Sequence, residues 1–512
     1  MAGPQRADLG WAALLFAVAL LLQGLQSENY FDGDTGYHIA VGHYTLQHGI
    51  LQDFPWTPRS WLGQHYADKE LLLHLLLAPL SLLDHNLAAR LAGGLMGGAL
   101  LTALYGVLRV EGVNRAGVWA LSLLVLSGAF THRFVLVRPH LMSITLAVLV
   151  LWAAARGRWL ALALGCFIFP FAYTAWHLTL ALAVIGAVAG LPVQGRRAAL
   201  ALPVAGGALC LGVLLHPNFP NNLSFFWIQN VEVLLQTAWA DRPGFELGGE
   251  FQPFSPRGGL RYLSLPLACL GLAVVAQLQR LRAAGGLRAA LSPAGLDPVA
   301  AAASLAGLGM AVMTLKTQRF IEYLAPFSLL ALAVAQRGAG GPAWLLRAAA
   351  GDRLPLGLLV LGLGWTVAVG SHPLRMLAGR SVIYPPPVEE AVQQLIPSGA
   401  MVFHCDWLTV GEAMLALPDR RFLFALDPVL FWRGDPAAYQ LWFDLLHAPV
   451  EAPGAQLRAV IGADYVLCDA RPAWDQLRAN LAADPALAGP VEVGPLQLWK
   501  VLPAAQGSTP GG

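Results

Sequence analysis

Charge is what this sequence has least of: only 12% of its 512 residues are Asp, Glu, Lys or Arg, against roughly 25% in ordinary soluble domains. With a formal net charge of +2 and no long basic block, the chain lacks the electrostatic footprint that nucleic acid demands, so no nucleic-acid partner is expected. Cysteine is scarce too. The five cysteines show no CxxC or other metal-ligand spacing, which excludes a zinc ribbon or finger. Three of them, Cys166, Cys210 and Cys269, sit inside apolar runs and read as inert thiols. The apolar runs are almost free of Asp, Glu, Lys and Arg away from their ends. That argues against a transport path, which needs polar groups at membrane depth.

What remains is apolar: 56% of residues are hydrophobic and the mean hydropathy is +0.57, the profile of a polytopic membrane protein. Runs long enough to cross about 30 Å of hydrocarbon lie near residues 9–26, 88–108, 116–132, 139–155, 159–174, 177–194, 198–215, 260–278, 297–314, 319–336 and 354–371. WAALLFAVALLLQGL has no small-x-small cleavage site before SENYFDGD and reads as an uncleaved first span. The loops QGRR, RGRW and RVEGVNR are the more basic ones and belong in the cytoplasm with the N-terminus. An odd number of crossings must then separate loop 27–68 from Arg109. The shorter run KELLLHLLLAPLSLL, 69–83, with His74 and Pro79, is therefore expected to lie along the outer interface. About eleven spans result. One outer surface collects residues 27–68, the Arg133 to His140 turn, the segment from HPNFPNN to FQPF (216–254) and Lys316 to Tyr323.

From about residue 375 the character changes. Pro385 to Pro387 mark a linker, and MVFHCD, RFLFALD and DYVLCD read as buried strands ending in Asp406, Asp427 and Asp469. The helix-like stretches VEEAVQQLI, AAYQLWFDLLH and WDQLRANLAAD accompany them. A transmembrane domain over 1–374 thus precedes a small α/β domain over 375–512 with a disordered end, on the outer side. The three aspartates form either an acidic ligand site at the strand ends or ordinary turns and helix caps. Cys405 and Cys468 occupy equivalent strand positions, so a disulfide and two buried thiols are both open.

Candidate chemistry concentrates in FDGDTGYHIAVGHY. On a helix starting near Asp32, the residues Asp34, Tyr37, His38 and Val41 share one face. A carboxylate partly desolvated at the membrane edge is suited to act as a general base on an incoming hydroxyl or amine. Asp32 is the alternate base, or a helix cap. Asp34 with His38 also makes half of a metal site, but one such pair closes no ligand set, so no metal ligand is assigned. His43, His48 and Asp53 are read as scaffold. Trp227, Trp239 and Phe245 suit sugar stacking or, more simply, lipid packing.

The stretches DTGYHIAVGHYTLQHGI, DKELLLHLLLAPL and NLAARLAGGLMGGALLTALYGVLRV resemble the membrane-embedded GT-C glycosyltransferases, and among them the protein-mannosyltransferase-like and aminoarabinose-transferase-like branch. The resemblance implies a GT-C-like helical fold whose first outer loop, 27–87, carries an acidic motif and juxtamembrane helices. The next span begins Ala89, Arg90, Leu91. It assigns the catalytic base to Asp34, with Asp32 as alternate because the family's paired Glu is missing here. It further implies a polyprenyl-phosphate-linked sugar as donor, a lipid, glycan or protein acceptor, and the outer face of a bacterial cytoplasmic membrane. Arg133, Arg138, Lys316 and Arg319 become candidates for the lipid phosphate, or else interfacial anchors. Tyr37, His38, His216 and Asn218 become candidates for substrate contacts, with turn formation the alternative for the last two. A divalent cation stays open. The rival functions are a flippase for a lipid-linked glycan and an inactive GT-C scaffold that binds partners.

Overall fold

A computed structural model of the protein describes residues 6–25, 33–233, 249–286, 292, 295–337, 353–369, 384–406 and 409–503. Among these, five helical stretches are long and apolar enough to cross a membrane, which makes the chain a multi-pass membrane protein. They are α1 (Arg6–Gly24), α4 (His85–Val110), the run His177–Leu214, α12 (Pro256–Ala283) and α13 (Pro298–Lys316). The run His177–Leu214 comprises α9 (His177–Gln194) and α10 (Ala201–Leu214), with Gly195 at φ +57° between them. Shorter apolar helices fill the bundle: α7 (His140–Arg156), α8 (Trp159–Ala172), α14 (Ile321–Ala335) and α15 (Leu354–Val369).

The expected span at 116–132 takes another form. It divides into α5 (Ala116–Leu126) and α6 (Gly128–Val135), bent by 98° at Ser127. Ser127 is extended and its hydroxyl accepts from the Phe130 amide at 3.4 Å, so a capping residue restarts the helix in a new direction. The run at 69–83 forms α3 (Leu71–Leu80), ten residues long, about half of what a crossing requires.

Packing follows small residues. On α4, a side chain at Gly98 would run into Phe16 of α1 and one at Gly97 into Phe134 of α6, so glycine is what lets these helices approach. Every residue of α14 is buried, as expected of a helix that is apolar all round and sits at the centre of a bundle. At the C-terminal end of α4, Glu111 accepts from Arg156 and from Arg337 (2.9 Å), and both arginines also bond Asp297, the cap of α13.

The tail forms a five-stranded sheet, order β2-β1-β3-β5-β4, from β1 (Met401–His404), β2 (Arg421–Phe422), β3 (Tyr465–Asp469), β4 (Leu487–Val493) and β5 (Leu496–Val501). The first three are the strands expected from MVFHCD, RFLFALD and DYVLCD, and β1 pairs in parallel with both β2 and β3. The antiparallel hairpin β4–β5 completes the sheet on its other side. Parallel register sets Cys405 beside Cys468, and the two are bridged with Cα atoms 5.1 Å apart. The three strand-end aspartates are not an open acidic site. Asp427 caps the helix Pro428–Gly434, and Asp406 and Asp469 share Arg471.

The tail is tied to the membrane part through α2 (Gly33–His48), which crosses the tail helix Val410–Ala416. A Cβ on Gly36 would lie 2.7 Å from the Gly411 backbone, so this crossing admits only glycine.

Candidate active site

α2 begins at Gly33, which puts Asp34 in its first turn, where a carboxylate is favoured by the helix dipole. Asp34 Oδ2 lies 3.1 Å from Arg138 Nη2. Arg138 follows α6 and reaches Glu250 Oε2 at 3.4 Å. Arg133, in the last turn of α6, donates to the same oxygen at 2.8 Å, and Arg319, between α13 and α14, donates to Glu250 Oε1 at 2.9 Å. Three guanidiniums therefore converge on one carboxylate, beside the aspartate singled out as the base. Burial pushes the Glu250 carboxyl up, but Arg319, Arg133 and Arg138 outweigh it and hold it well below the usual carboxylate range.

A second layer supports the arginines. Arg133 also pairs through Nε with Glu322, in the first turn of α14. Arg319 donates to the Tyr173 hydroxyl at 2.7 Å, and the Arg133 carbonyl lies 2.8 Å from His140 Nε2. Some polar atoms are left over: Arg133 Nη2, Glu322 Oε2 and His140 Nδ1 are buried with no hydrogen-bond partner.

Of the residues expected from sequence, the structure brings together Asp34, Arg133, Arg138 and Arg319. Asp32 lies outside the described residues, as do Trp239 and Phe245. Lys316 is exposed at the end of α13 and takes no part in the cluster's ion pairs. Tyr37 and His38 were expected to face substrate with Asp34, yet both are buried. Tyr37 packs against Phe54 and His74, and His38 Nδ1 lies 3.0 Å from His74 Nε2. Burial, then the charges of His74, Arg138 and Lys69, lower the His38 pKa well below the histidine range, so it is neutral at pH 7. His216 and Asn218 are also buried and internally used: Asn218 accepts from the Asp68 amide at 2.9 Å and donates to the Leu51 carbonyl at 2.7 Å. Asn218 holds loop to loop, since a buried amide must find partners somewhere, while His216 Nδ1 accepts from the Asn218 backbone amide at 3.2 Å.

Glu250 and Glu322 were missed by sequence reasoning. Glu322 lies within the outer stretch Lys316 to Tyr323, and a carboxylate in the first turn of an apolar helix was the available signal. Glu250 offers none, because its partners are far away in the chain. A separate cleft of about 510 Å³ lies between loop 58–65 and the tail, lined by Arg59, Trp61, Arg421, Arg433 and Asp464. It contains neither Asp34 nor the three arginines of the cluster.

No known family's sequence profile matches the chain, and no curated protein matches it in sequence. Its architecture is similar to the solved structure of the archaeal oligosaccharyltransferase AglB from Archaeoglobus fulgidus, in complex with an inhibitory peptide and a dolichol-phosphate. The likeness has a TM-score of 0.57 at 12% identity and covers 91% of this chain and 70% of that one. The fold is therefore GT-C-like: a multi-pass helical membrane domain followed by a small α/β domain. At that identity the likeness speaks for the fold.

Proposed function

We propose that this protein is a membrane glycosyltransferase that moves a sugar from a polyprenyl-phosphate carrier to a lipid, glycan or protein acceptor at the outer face of a bacterial cytoplasmic membrane. The observation that carries this reading is the convergence of Asp34 and three arginines at one end of the bundle. Glu250 occupies the position an anion would take between guanidiniums, whose planar donors suit phosphate oxygens in pairs. The similar solved structure was determined with a lipid phosphate bound, which supports a lipid-linked donor here.

In this reading, Asp34 accepts the proton of an acceptor hydroxyl or amine while the acceptor atom bonds the anomeric carbon. The carbon–oxygen bond to the phosphate breaks, and the departing lipid phosphate keeps the electron pair. Arg133, Arg138 and Arg319 stabilise its charge. Displacement from the opposite face inverts the anomeric centre. Arg138 pairs with Asp34 at 3.1 Å in the resting state and turns toward the phosphate when donor arrives.

Membranes containing the protein, supplied with polyprenyl-phosphate sugars, should transfer sugar. Asp34→Asn should abolish that transfer in correctly folded protein. Intact transfer by the variant would remove Asp34 as the base.

A further inference from the structure

One helical turn along α2 from Asp34, a second group of polar side chains is closed off from solvent and has no role in the scheme above. His38 comes from α2, His74 from α3, and Glu70 from the residue preceding α3; all three are buried. We propose that His38, His74 and Glu70 bind a divalent transition-metal ion, zinc being the best match to two imidazoles and a carboxylate.

Geometry carries the assignment. One ligand atom from each residue lies within 4.8 Å of the others. His38 Nδ1 stands 3.0 Å from His74 Nε2 and 3.6 Å from Glu70 Oε2. A tetrahedral zinc ion with bonds of about 2.0–2.1 Å holds its ligand atoms roughly 3.3 Å apart, so two sides of the triangle lie within a few tenths of an ångström of that spacing and the third lies within 4.8 Å.

The partners of these residues point the same way. Both oxygens of Asp68 lie 2.8 Å from His74 Nδ1, so Nδ1–H donates to the carboxylate and Nε2 presents its lone pair to the site. A carboxylate behind a ligating imidazole is the common support of a metal-bound histidine. Glu70 Oε2 is buried without a hydrogen-bond partner, which is costly for a charged oxygen unless a cation meets it. Two carboxylates, Asp68 and Glu70, are enclosed here, with Lys69 3.3 Å from Glu70 Oε1. A divalent ion meets the Glu70 oxygen that Lys69 does not pair with.

Without metal, His38 Nδ1–H donates to His74 Nε2; on binding, that proton moves to His38 Nε2, and Nδ1 becomes a ligand. No redox step is involved. A single water completes the tetrahedron. The ion then clamps α2 to α3 and fixes the helix that carries Asp34.

The test is metal content of the full-length protein purified in detergent and loaded with zinc, then desalted. About one zinc per chain is expected, retained in His43→Ala, a control on the same helix. Content should fall to background in His74→Ala and in Glu70→Gln. Asp68→Asn, which removes no ligand, should weaken zinc affinity about 10–100-fold. Size-exclusion profiles check that each variant folds, and the wild-type value does not depend on any variant. Zinc no higher than background in the wild type would overturn the proposal and leave His38 and His74 as a hydrogen-bonded pair. So would equal zinc in the wild type and a folded His74→Ala. Neither outcome depends on whether the protein transfers sugar.

Discussion

The bundle carries a ring of paired charges at each end, and the same helices build both. α7 has Arg138 just before its start and Arg156 at its end, α13 has Asp297 before and Arg319 after, and α14 has Glu322 in its first turn and Arg337 just past its end. At one end, Glu111 and Asp297 are only 4% and 6% exposed, and each is bonded by both Arg156 and Arg337. None of these four side chains has a buried polar atom without a partner. At the tail end, Arg133, Arg138 and Arg319 face Asp34, Glu250 and Glu322, so the formal charges also cancel. Yet Arg133 Nη2 and Glu322 Oε2 remain without hydrogen-bond partners, and Glu250 comes from a three-residue helical turn, Gly249–Phe251, rather than from a span. Charge balance alone does not separate a staple from a site. A closed ring on helix ends joins helices, whereas the ring with a spare donor and a loop-borne counter-ion is the one proposed to receive a ligand anion.

Substitutions in the two rings should therefore fail in different ways. The largest expected effect is Asp34→Asn, which should cut sugar transfer about 100- to 10,000-fold, the usual worth of a positioned general base, while the thermal melt of the purified protein stays near wild type. Next is Glu111→Gln at the opposite end. It should cost about 2–4 kcal/mol of stability, because removing one partner of a buried ion pair leaves the others uncompensated. Its transfer rate per folded molecule should be unchanged, and a large loss of rate would erase the distinction between the rings. Arg319→Ala should lower transfer about 10- to 100-fold, the equivalent of one or two charged hydrogen bonds at about 1.4 kcal/mol per tenfold, with Arg319→Lys restoring only part.

The last contrast concerns the junction with the tail. Burial raises Glu412, beside Gly411 in the crossing with α2, from 4.5 to about 9. The folded state then keeps a proton that the unfolded chain loses, so stability falls as pH rises from about 4.5 to about 9. The slope is at most about 1.4 kcal/mol per pH unit. Glu412→Gln should flatten melting temperature against pH over that window. An unchanged slope would show that Glu412 is not its source.

Much of this was legible in advance. Asp34 stood out from its helix face and the family resemblance, and Arg133, Arg138 and Arg319 as the outer-face cations that the resemblance made candidates for a lipid phosphate. The strands 401–404 and 465–469 stood out because short buried runs end in turn residues. Tyr37 and His38 misled for a related reason. Spacing of three and four places them on the same helix as Asp34, but it does not say which neighbour that helix meets. The contact with α3 turned them inward. Ser127, an unremarkable residue inside an apolar run, redirected an expected span because its hydroxyl caps a helix. Hydropathy does not register that.

Sequence by itself determined that this chain belongs in a membrane and that its charges gather at the ends of its helices, because an ion in hydrocarbon is too costly to leave in the middle of a span. Only the tertiary structure decided which charges meet. Arg319 finds Glu250 across 69 residues and Arg337 finds Glu111 across 226, and no local spacing encodes such pairings. Partners so far apart are chosen by how the helices pack, and that packing closes one ring and leaves the other with a buried guanidinium donor unpartnered.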